Sequence, residues 1–319
     1  MYSLMASLLL GGLLAAYIIV YLLSHSPRQA YPEELTYRTV GKDGTVARHQ
    51  LKSVMDDTEA DTDDIELSVV VPSYNETGRI ETMLQEAVEH LRKVHAGKWE
   101  ILIVDDGSRD GTSEFCLELA QKLQLEREQM RVVKFTKNRG KGGAVRHGML
   151  HIRGKYGLFA DADGASRFSD VEKLLQAIKE GEQIQPGNVS IGSRSHMVKT
   201  DAVVKRSFIR NFMMYGLHTL VYIFGIRTIG DTQCGFKLFD RKAVQAIFPH
   251  LHTEGWIFDV EILILAARKG MKINEIPISW HEVGGSKMVL VKDSINMAID
   301  LVVIRLAYIF GIYGDKAAR

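Results

Sequence analysis

Two carboxylates, Asp161 and Asp163, follow the apolar run of "YGLFADADG" at residues 156–164. A carboxylate pair at the end of a buried strand is a hard-oxygen site suited to Mg²⁺ or Mn²⁺, which water and substrate phosphates usually complete. The same spacing also occurs at helix N-caps and in solvated turns. The pair alone therefore leaves both interpretations open.

The segment "NRGKGGAVRHG" at residues 138–148 carries groups that suit a phosphate. Gly140, Gly142 and Gly143 permit close approach of the backbone, a helix that begins here offers free N–H groups, and Lys141 and Arg146 add positive charge. It matches neither a Walker sequence nor the G-x-G-x-x-G of a dinucleotide fold. Asp105 and Asp106 of "DDGSRDGT" end another strand and could accept hydrogen bonds from a base or ribose, or form a turn.

Short β-branched runs alternate with amphipathic stretches from residue 67 to 194. This alternation is typical of an α/β fold with a mainly parallel sheet, in which ligands bind beyond the carboxyl ends of the strands. The turns "PSYNE", "DDGSRDG", "NRGKGG" and "DADG" all lie at such ends, so we predict that they converge on one site. We also expect Thr112 or Ser113 to cap the second helix, and Ser169 with Glu172 to form a capping box at the fourth. The predicted strands are 67–75, 100–108, 130–138, 156–163 and 188–194, and the predicted helices are 79–94, 110–123, 140–152 and 168–180.

Residues 1–23 contain no charged residue and would span about 35 Å as a helix, enough to cross a bilayer core of about 30 Å. No Lys or Arg precedes the apolar run and no small-residue cleavage site follows, so we predict an uncleaved anchor rather than a signal peptide. Basic residues follow the run, which by the positive-inside rule places the body of the protein in the cytosol. The two cysteines, Cys116 and Cys234, lack metal or disulfide spacing and suit a reducing compartment.

Two further apolar stretches lie at residues 203–225 and 291–313, and both contain internal charge. That charge argues against lone membrane spans and leaves two interpretations, interfacial helices or core helices, of which the predicted anchor favours the first. Residues 24–66 form a polar connector, either a linker or a hairpin that lies on the domain. The net charge of +1 gives no reason to expect a nucleic-acid partner.

The order and spacing of "VVVPSYNE", "ILIVDDGSRDGT", "NRGKGGAVRHGM" and "FADADGA" resemble the inverting GT-A glycosyltransferases of family 2. The later segments "IGSR", "RNFMMYGLHTL", "DTQCGFKLFDR" and "GWIFDVEIL" narrow the resemblance to the polyprenyl-phosphate sugar transferases. It covers residues 1 to about 313 and implies a GT-A, Rossmann-like sheet with flanking helices. It also implies transfer of glucose from UDP-glucose to dolichyl phosphate with inversion, for N-glycan precursor assembly at the endoplasmic-reticulum membrane.

The resemblance assigns roles to individual residues. Lys141 and the glycine loop would lie near the nucleotide phosphates, and Asp161 and Asp163 would hold the Mg²⁺ or Mn²⁺ that bridges the diphosphate. Related enzymes often have Gln where this chain has Ala165, so one protein ligand of the metal is missing. The residues implied to surround the uridine are Pro72, Tyr74, Glu76, Asp105 and Asp106.

A lipid-phosphate acceptor needs cations close to the sugar. The resemblance offers Arg194, Arg206, Arg210 and Lys237, each of which could instead be a surface or snorkelling cation. A dianionic phosphate is already a competent nucleophile, so catalysis can rest on positioning and charge neutralisation more than on a general base. Asp259 and Glu261 either lie near the sugar and acceptor or brace their helix. The catalytic assignments are Asp163, Arg194, Arg210 and Asp259.

The chain would thus comprise an anchor at 1–23, a connector at 24–66, a nucleotide-sugar-binding core at 67–202 and an acceptor-binding part at 203–319. A lipid bilayer is an expected partner, and homo-oligomerisation stays open. Two alternative functions remain. One is mannose transfer from GDP-mannose to the same acceptor. The other is a non-catalytic, membrane-tethered subunit that binds a sugar nucleotide, and retention of both Asp161 and Asp163 argues against it.

Overall fold

The computed structural model describes residues 2–56, 65–185, 187–197, 226–285 and 287–315. Helix α1, Tyr2–Leu23, is exposed along most of its length. Within it, Leu4–Leu23 is the one segment of the described chain that is long and apolar enough to cross a membrane. The predicted anchor is therefore a candidate membrane span.

Nine strands of the described chain form one mixed sheet, in the order β2-β1-β5-β4-β3-β6-β8-β7-β9. The central strands β5, β4, β3 and β6 are parallel, as is the pair β7 and β9, which confirms the parallel core. Strand β8 is antiparallel to both β6 and β7, and β1 is antiparallel to β2 and β5, so the sheet is mixed but mainly parallel, as predicted. The strands are β1 Thr36–Val40, β2 Val46–Gln50, β3 Leu67–Ser73, β4 Trp99–Asp105, β5 Met130–Lys134, β6 Tyr156–Ala160, β7 Asn188–Ser193, β8 Phe236–Asp240 and β9 Lys272–Pro277.

Helices cover both faces of the sheet. Successive side chains of a strand point to opposite faces, so Val70 packs in one apolar core while Val69 and Val71 pack in the other. The helices that follow α1 are α2 Ile80–Val94, α3 Thr112–Lys122, α4 Lys141–Met149, α5 Val171–Glu182, α6 Arg241–Ile247, α7 Phe258–Arg268 and α8 Leu290–Ile309. The core that contains Val70 includes α4, α6, α7 and α8, and the opposite core includes α2, α3 and α5.

The predicted helix caps are wrong at two places. Gly111 is the N-cap of α3, rather than Thr112 or Ser113, and its φ of 86° is a left-handed conformation that glycine adopts at little cost. Ser169 lies in a 3₁₀ turn before α5, and the carboxylate of Glu172 bonds two histidines instead of the backbone. In both cases tertiary contacts compete successfully with a local cap.

The structure clarifies two regions whose interpretation the sequence left open. The polar connector contains the β1–β2 hairpin, which joins the sheet edge where Arg38 pairs with Val132 of β5. The second apolar stretch forms α8, which buries Leu301 and Ile304 but exposes about half of Ile295 and Ile299. One face of this helix is therefore core, and the other is available to an apolar environment. The first apolar stretch, residues 203–225, lies outside the described residues.

His95 joins α2 to α5 through charge. Its Nδ1 lies 3.1 Å from Glu66 Oε2, and its Nε2 lies 3.0 Å from Glu172 Oε1, which His90 Nε2 also approaches to 2.9 Å. Burial opposes the charged imidazole, but the two carboxylates outweigh it and raise the pKa of His95. The fold therefore stabilises the imidazolium relative to the neutral ring.

We predict that replacing His95 with Gln costs about 1.5–3 kcal/mol of unfolding free energy at pH 6, the usual value of hydrogen bonds to charged groups. A raised folded-state pKa gives stability that is fully present below the unfolded value of about 6.5 and is lost as pH rises through the folded value. The difference from wild type should therefore shrink between pH 6 and pH 9 in urea titrations. The control is His49→Gln, at an exposed position. A difference that stays constant over this range would contradict the charged state of His95.

Candidate active site

The turns after β3, β4, β5 and β6 meet around a cavity of about 370 Å³ at the carboxyl ends of these parallel strands. The predicted convergence of these turns is therefore confirmed. Gly255, Trp256, Val283 and Lys287 complete the wall. The predicted site residues that line the cavity are Pro72, Tyr74, Glu76, Asp106, Lys141, Asp161 and Asp163.

Lys141 supplies the positive charge nearest to the acidic pair. It is the first residue of α4, and its Nζ lies 2.6 Å from Asp161 Oδ1. Burial tends to lower the pKa of Lys141, but the surrounding carboxylates of Asp161, Asp259 and Asp163 outweigh burial and raise it. Lys141 is thus held as a cation at the cavity wall.

The acidic pair fits a divalent cation in its donor chemistry and in the space around it. Asp161 and Asp163 are partly exposed to the cavity and offer carboxylate oxygens, the donors that Mg²⁺ and Mn²⁺ prefer. A Cβ on Gly235 would lie 2.0 Å from Asp161 Oδ2, so any other residue at position 235 would displace this carboxylate. Ala165 donates its backbone N–H to Asp163 Oδ1 at 3.0 Å and has no ligating side chain.

The adjacent carboxylates Asp105 and Asp106 have different surroundings. Asp105 is fully buried and accepts hydrogen bonds from the Ser108 N–H at 2.8 Å and from the Ser113 hydroxyl. Asp106 accepts the N–H groups of Arg139 at 2.6 Å and Gly140 at 2.8 Å. Burial raises the pKa of Asp106 to about 7 against the effect of these N–H donors. Of the two, only Asp106 is among the described residues that line the cavity.

The cavity also contains cations that sequence reasoning missed. Arg79 pairs with Glu76 at 2.6 Å and donates to the Gly284 carbonyl at 2.9 Å, which ties the turn after β3 to the loop that contains Gly284. Lys287 donates to the Asn75 carbonyl at 2.9 Å. Arg79 could have been found from its i, i+3 spacing to Glu76, whereas the Lys287 contact spans more than two hundred residues and has no local signal. The other lining residues, which the sequence did not single out, are Ser73, Asn138, Ala144, Ala162, Gly255, Trp256 and Val283.

Lys237 lies in the core instead of facing the cavity. It is fully buried, donates to the Cys234 carbonyl at 2.7 Å and pairs with the Asp259 carboxylate. Burial raises the pKa of Asp259, and the positive charges of Lys237 and Lys141 oppose the rise. The Lys237–Asp259 pair therefore links β8 to α7. This placement supports neither the predicted role of Lys237 at the acceptor phosphate nor that of Asp259 near the sugar.

Arg194 is partly exposed and fixed by Asp231. Its Nε and Nη2 lie 2.7 and 2.8 Å from the two Asp231 oxygens, a bidentate arrangement, and its guanidinium lies 5.5 Å from the Trp280 ring centroid. Arg194 does not contribute to the described lining of the cavity. Arg206 and Arg210 lie outside the described residues. The roles of these cations therefore stay predictions.

Glu261 braces the fold. Its fully buried carboxylate accepts the N–H groups of His252 at 3.0 Å and Thr253 at 2.8 Å, and the hydroxyl of Tyr308 at 3.0 Å. These bonds join α7 to the 252–253 loop and to α8. The bracing alternative for Glu261 is the one that the contacts favour.

Solved structures with a similar fold include the mannosyl-3-phosphoglycerate synthase of Rubrobacter xylanophilus, at 17% identity and a TM-score of 0.53, covering 80% of this chain and 77% of that one. The glucosyl-3-phosphoglycerate synthase of Mycobacterium tuberculosis, in complex with phosphoglyceric acid, has 17% identity and a TM-score of 0.52, covering 77% and 82%. The mixed sheet and its helices thus define a GT-A glycosyltransferase fold.

The sequence model of the family described as Glycosyl transferase family 2 matches residues 68–248, more than half of the chain. The chain belongs to this family. Its relatives include the dolichyl-phosphate beta-glucosyltransferase of Saccharomyces cerevisiae, 59% identical over 97% of this chain and 94% of the relative. The human protein of the same name is 44% identical over 80% of this chain and 79% of its own length.

We predict that Gly235→Ala lowers glycosyl transfer about 100-fold, the order of loss that a misplacement near 1 Å can cause. The new Cβ would displace the Asp161 carboxylate, a movable side chain, so the fold should persist. Gly255→Ala is the matched control, because Gly255 also lines the cavity but has open space around its Cβ position. Circular dichroism would verify folding, and equal activity of the two variants would show that the position of Asp161 does not matter.

Proposed function

We propose that the chain transfers glucose from UDP-glucose to dolichyl phosphate and releases dolichyl β-D-glucosyl phosphate and UDP. The relatives named above support the substrates, since the yeast enzyme is similar over nearly the whole of both chains. The observation that carries the chemistry is the cluster of Lys141, Asp161 and Asp163 at the cavity. Lys141 offers a cation to a nucleotide diphosphate. The paired carboxylates offer ligands to the divalent ion that would accompany it.

The cavity provides separate groups for the base and for the phosphates. Pro72, Tyr74, Glu76 and Asp106 would surround the uridine, with the partly exposed Tyr74 ring offering an apolar surface. The diphosphate would lie near Lys141 and the first turn of α4, whose free N–H groups favour anions. Gly140, with φ of 88°, lets the chain turn sharply into this helix.

A divalent cation, Mg²⁺ or Mn²⁺, would be held by Asp161 and Asp163. When bound, it supplies positive charge that stabilises the UDP leaving group. Lys141 adds a second, permanent positive charge at the same place. With alanine at position 165, no further side-chain ligand is offered there, and water and phosphate oxygens would complete the coordination.

The reaction would be an in-line displacement. An oxygen of the lipid phosphate forms a bond to the anomeric carbon while the bond from that carbon to UDP breaks, and UDP leaves with the electron pair. Attack from the opposite face inverts the α-linked donor to a β-linked product. Because the phosphate is already anionic, orientation and charge neutralisation would supply most of the catalysis. We infer catalytic roles for Asp163 at the sugar, for Arg194 and Arg210 at the acceptor phosphate, and for Asp259, which pairs with Lys237.

The acceptor would arrive from the endoplasmic-reticulum membrane, with the catalytic domain in the cytosol. The candidate span Leu4–Leu23 supports membrane attachment, and the basic residues that follow it support this orientation. The half-exposed Ile295 and Ile299 of α8 lie one helical turn apart and would face the bilayer interface. The isoprenoid chain would enter along this side.

We predict that Asp161→Asn lowers glucose transfer at least about 100-fold, since even outer partners of metal ligands commonly cost 10–100-fold when removed. The assay uses purified full-length protein, UDP-glucose, dolichyl phosphate and Mg²⁺ or Mn²⁺, with and without chelator. Asp43→Asn, in the exposed β1–β2 turn, is the control. Undiminished transfer by Asp161→Asn, or in chelator, would remove the metal from the proposal.

The same assay separates the alternative donors. Glucose transfer from UDP-glucose without mannose transfer from GDP-mannose is the expected result. The reverse preference would make the chain a mannosyltransferase. Binding of a sugar nucleotide without turnover of either donor would leave the non-catalytic subunit.

A further inference from the structure

The segment between the anchor and the sheet contacts the loop that enters the cavity. We call residues 24–35 the juxtamembrane strap and residues 136–141 the donor loop. The donor loop follows β5 and supplies Asn138, Gly140 and Lys141 to the cavity wall. No residue of the strap is among the described residues that line the cavity.

Glu34 is the centre of these contacts. Its side chain is fully buried, and its carboxylate accepts two bonds from Arg28, at 2.6 and 2.8 Å. It also accepts the Thr136 N–H at 3.0 Å, the Thr136 hydroxyl at 3.1 Å and the Tyr31 N–H at 3.0 Å. Burial favours the neutral acid, but these donors outweigh it and lower the pKa of Glu34 to about 2. The carboxylate is therefore charged and fully bonded at neutral pH.

Two further contacts extend the attachment along the donor loop. The Arg28 guanidinium donates to the Lys137 carbonyl at 3.3 Å, and the Arg28 carbonyl accepts a bond from Arg139 Nη2 at 2.8 Å. The strap thus contacts Thr136, Lys137 and Arg139, three residues of the segment that leads to Lys141.

Asp106 and Glu254 also hold the donor loop in place. Asp106 accepts the N–H groups of Arg139 and Gly140, and Glu254 pairs with the Arg139 guanidinium. A Cβ on Gly140 would lie 2.5 Å from the Glu254 carbonyl oxygen, which leaves no room for the loop to shift that way. The donor loop is thus held by the strap, by Asp106 and by Glu254 together.

We propose that Glu34 is a positioning residue for nucleotide binding, through which the membrane-proximal strap sets the placement of the donor loop. The inference rests on the proposed function, in which the donor loop faces the diphosphate of a nucleotide sugar. Glu34 is not among the described residues that line the cavity, so it would act only through Thr136 and Arg28. Its neighbour Glu33 is exposed, with no carboxylate contact to the loop in the described contacts, and provides a matched control.

The test uses full-length protein in detergent with UDP and Mn²⁺ as the probe. Glu34→Gln keeps the shape of the side chain but removes its charge. We expect it to weaken UDP binding, measured by calorimetry, about tenfold, as losses of outer partners often do, whereas Glu33→Gln should bind as wild type does. In the transfer assay the KM for UDP-glucose should rise while the KM for dolichyl phosphate stays unchanged, a split that general destabilisation would not produce. Arg28→Lys should retain more affinity than Arg28→Gln.

Thermal unfolding of each variant sets a temperature at which all are folded. If Glu34→Gln does not fold, the two Arg28 variants and Thr136→Val test the same contacts individually. UDP affinity within twofold of wild type in folded variants would overturn the inference and leave the proposed function intact. Absence of UDP binding by wild type would overturn the proposed function, and the inference with it.

Discussion

Negative charge at the end of β6 is the constraint on which the site depends. Asp161 and Asp163 leave a buried strand together, and such a pair is costly without positive charge nearby. Lys141, at the start of α4, meets this need at 2.6 Å. The neighbouring antiparallel strand β8 begins just after Gly235, whose carbonyl accepts the Asp161 N–H at 3.0 Å and whose missing side chain leaves space for the carboxylate. The antiparallel strand β8, entered through Gly235, thus accommodates the acidic pair.

The elements that sequence reasoning predicted are those whose signals are local. Apolar runs of β-branched residues identified the parallel strands, and the carboxyl ends of such strands share one edge, so the convergence of their turns followed. Strand β8 was missed, and a hairpin stayed one of two alternatives for the connector, because the pairings of β8 with β6 and of β1 with β5 join distant segments. Arg38 of a polar connector pairs with Val132, and no periodicity in the connector indicates that partner.

The same distinction applies to the site. Asp105 is the last residue of β4, and Asp106 follows it, so the alternation of a strand places adjacent side chains on opposite sides. From the sequence alone one could therefore have distinguished the buried carboxylate of Asp105 from the Asp106 carboxylate at the cavity. The burial of Lys237 was not available, because its partner Asp259 lies on another element and only the fold brings them together.

In the proposed function, the length of the strap would constrain membrane attachment and catalysis together. Twelve extended residues reach at most about 43 Å, so the donor site cannot lie far from the end of the anchor. His25 also attaches the start of the strap to the domain, because it pairs with Asp300 of α8 at 3.0 Å and its N–H donates to the Tyr313 hydroxyl. This attachment further limits the distance between the anchor and the cavity. A phosphate on a membrane lipid lies at the headgroup level, and its carrier cannot leave the bilayer. In the proposed function, a donor site held by the strap that follows the candidate span Leu4–Leu23 would remain at the level where such an acceptor is found.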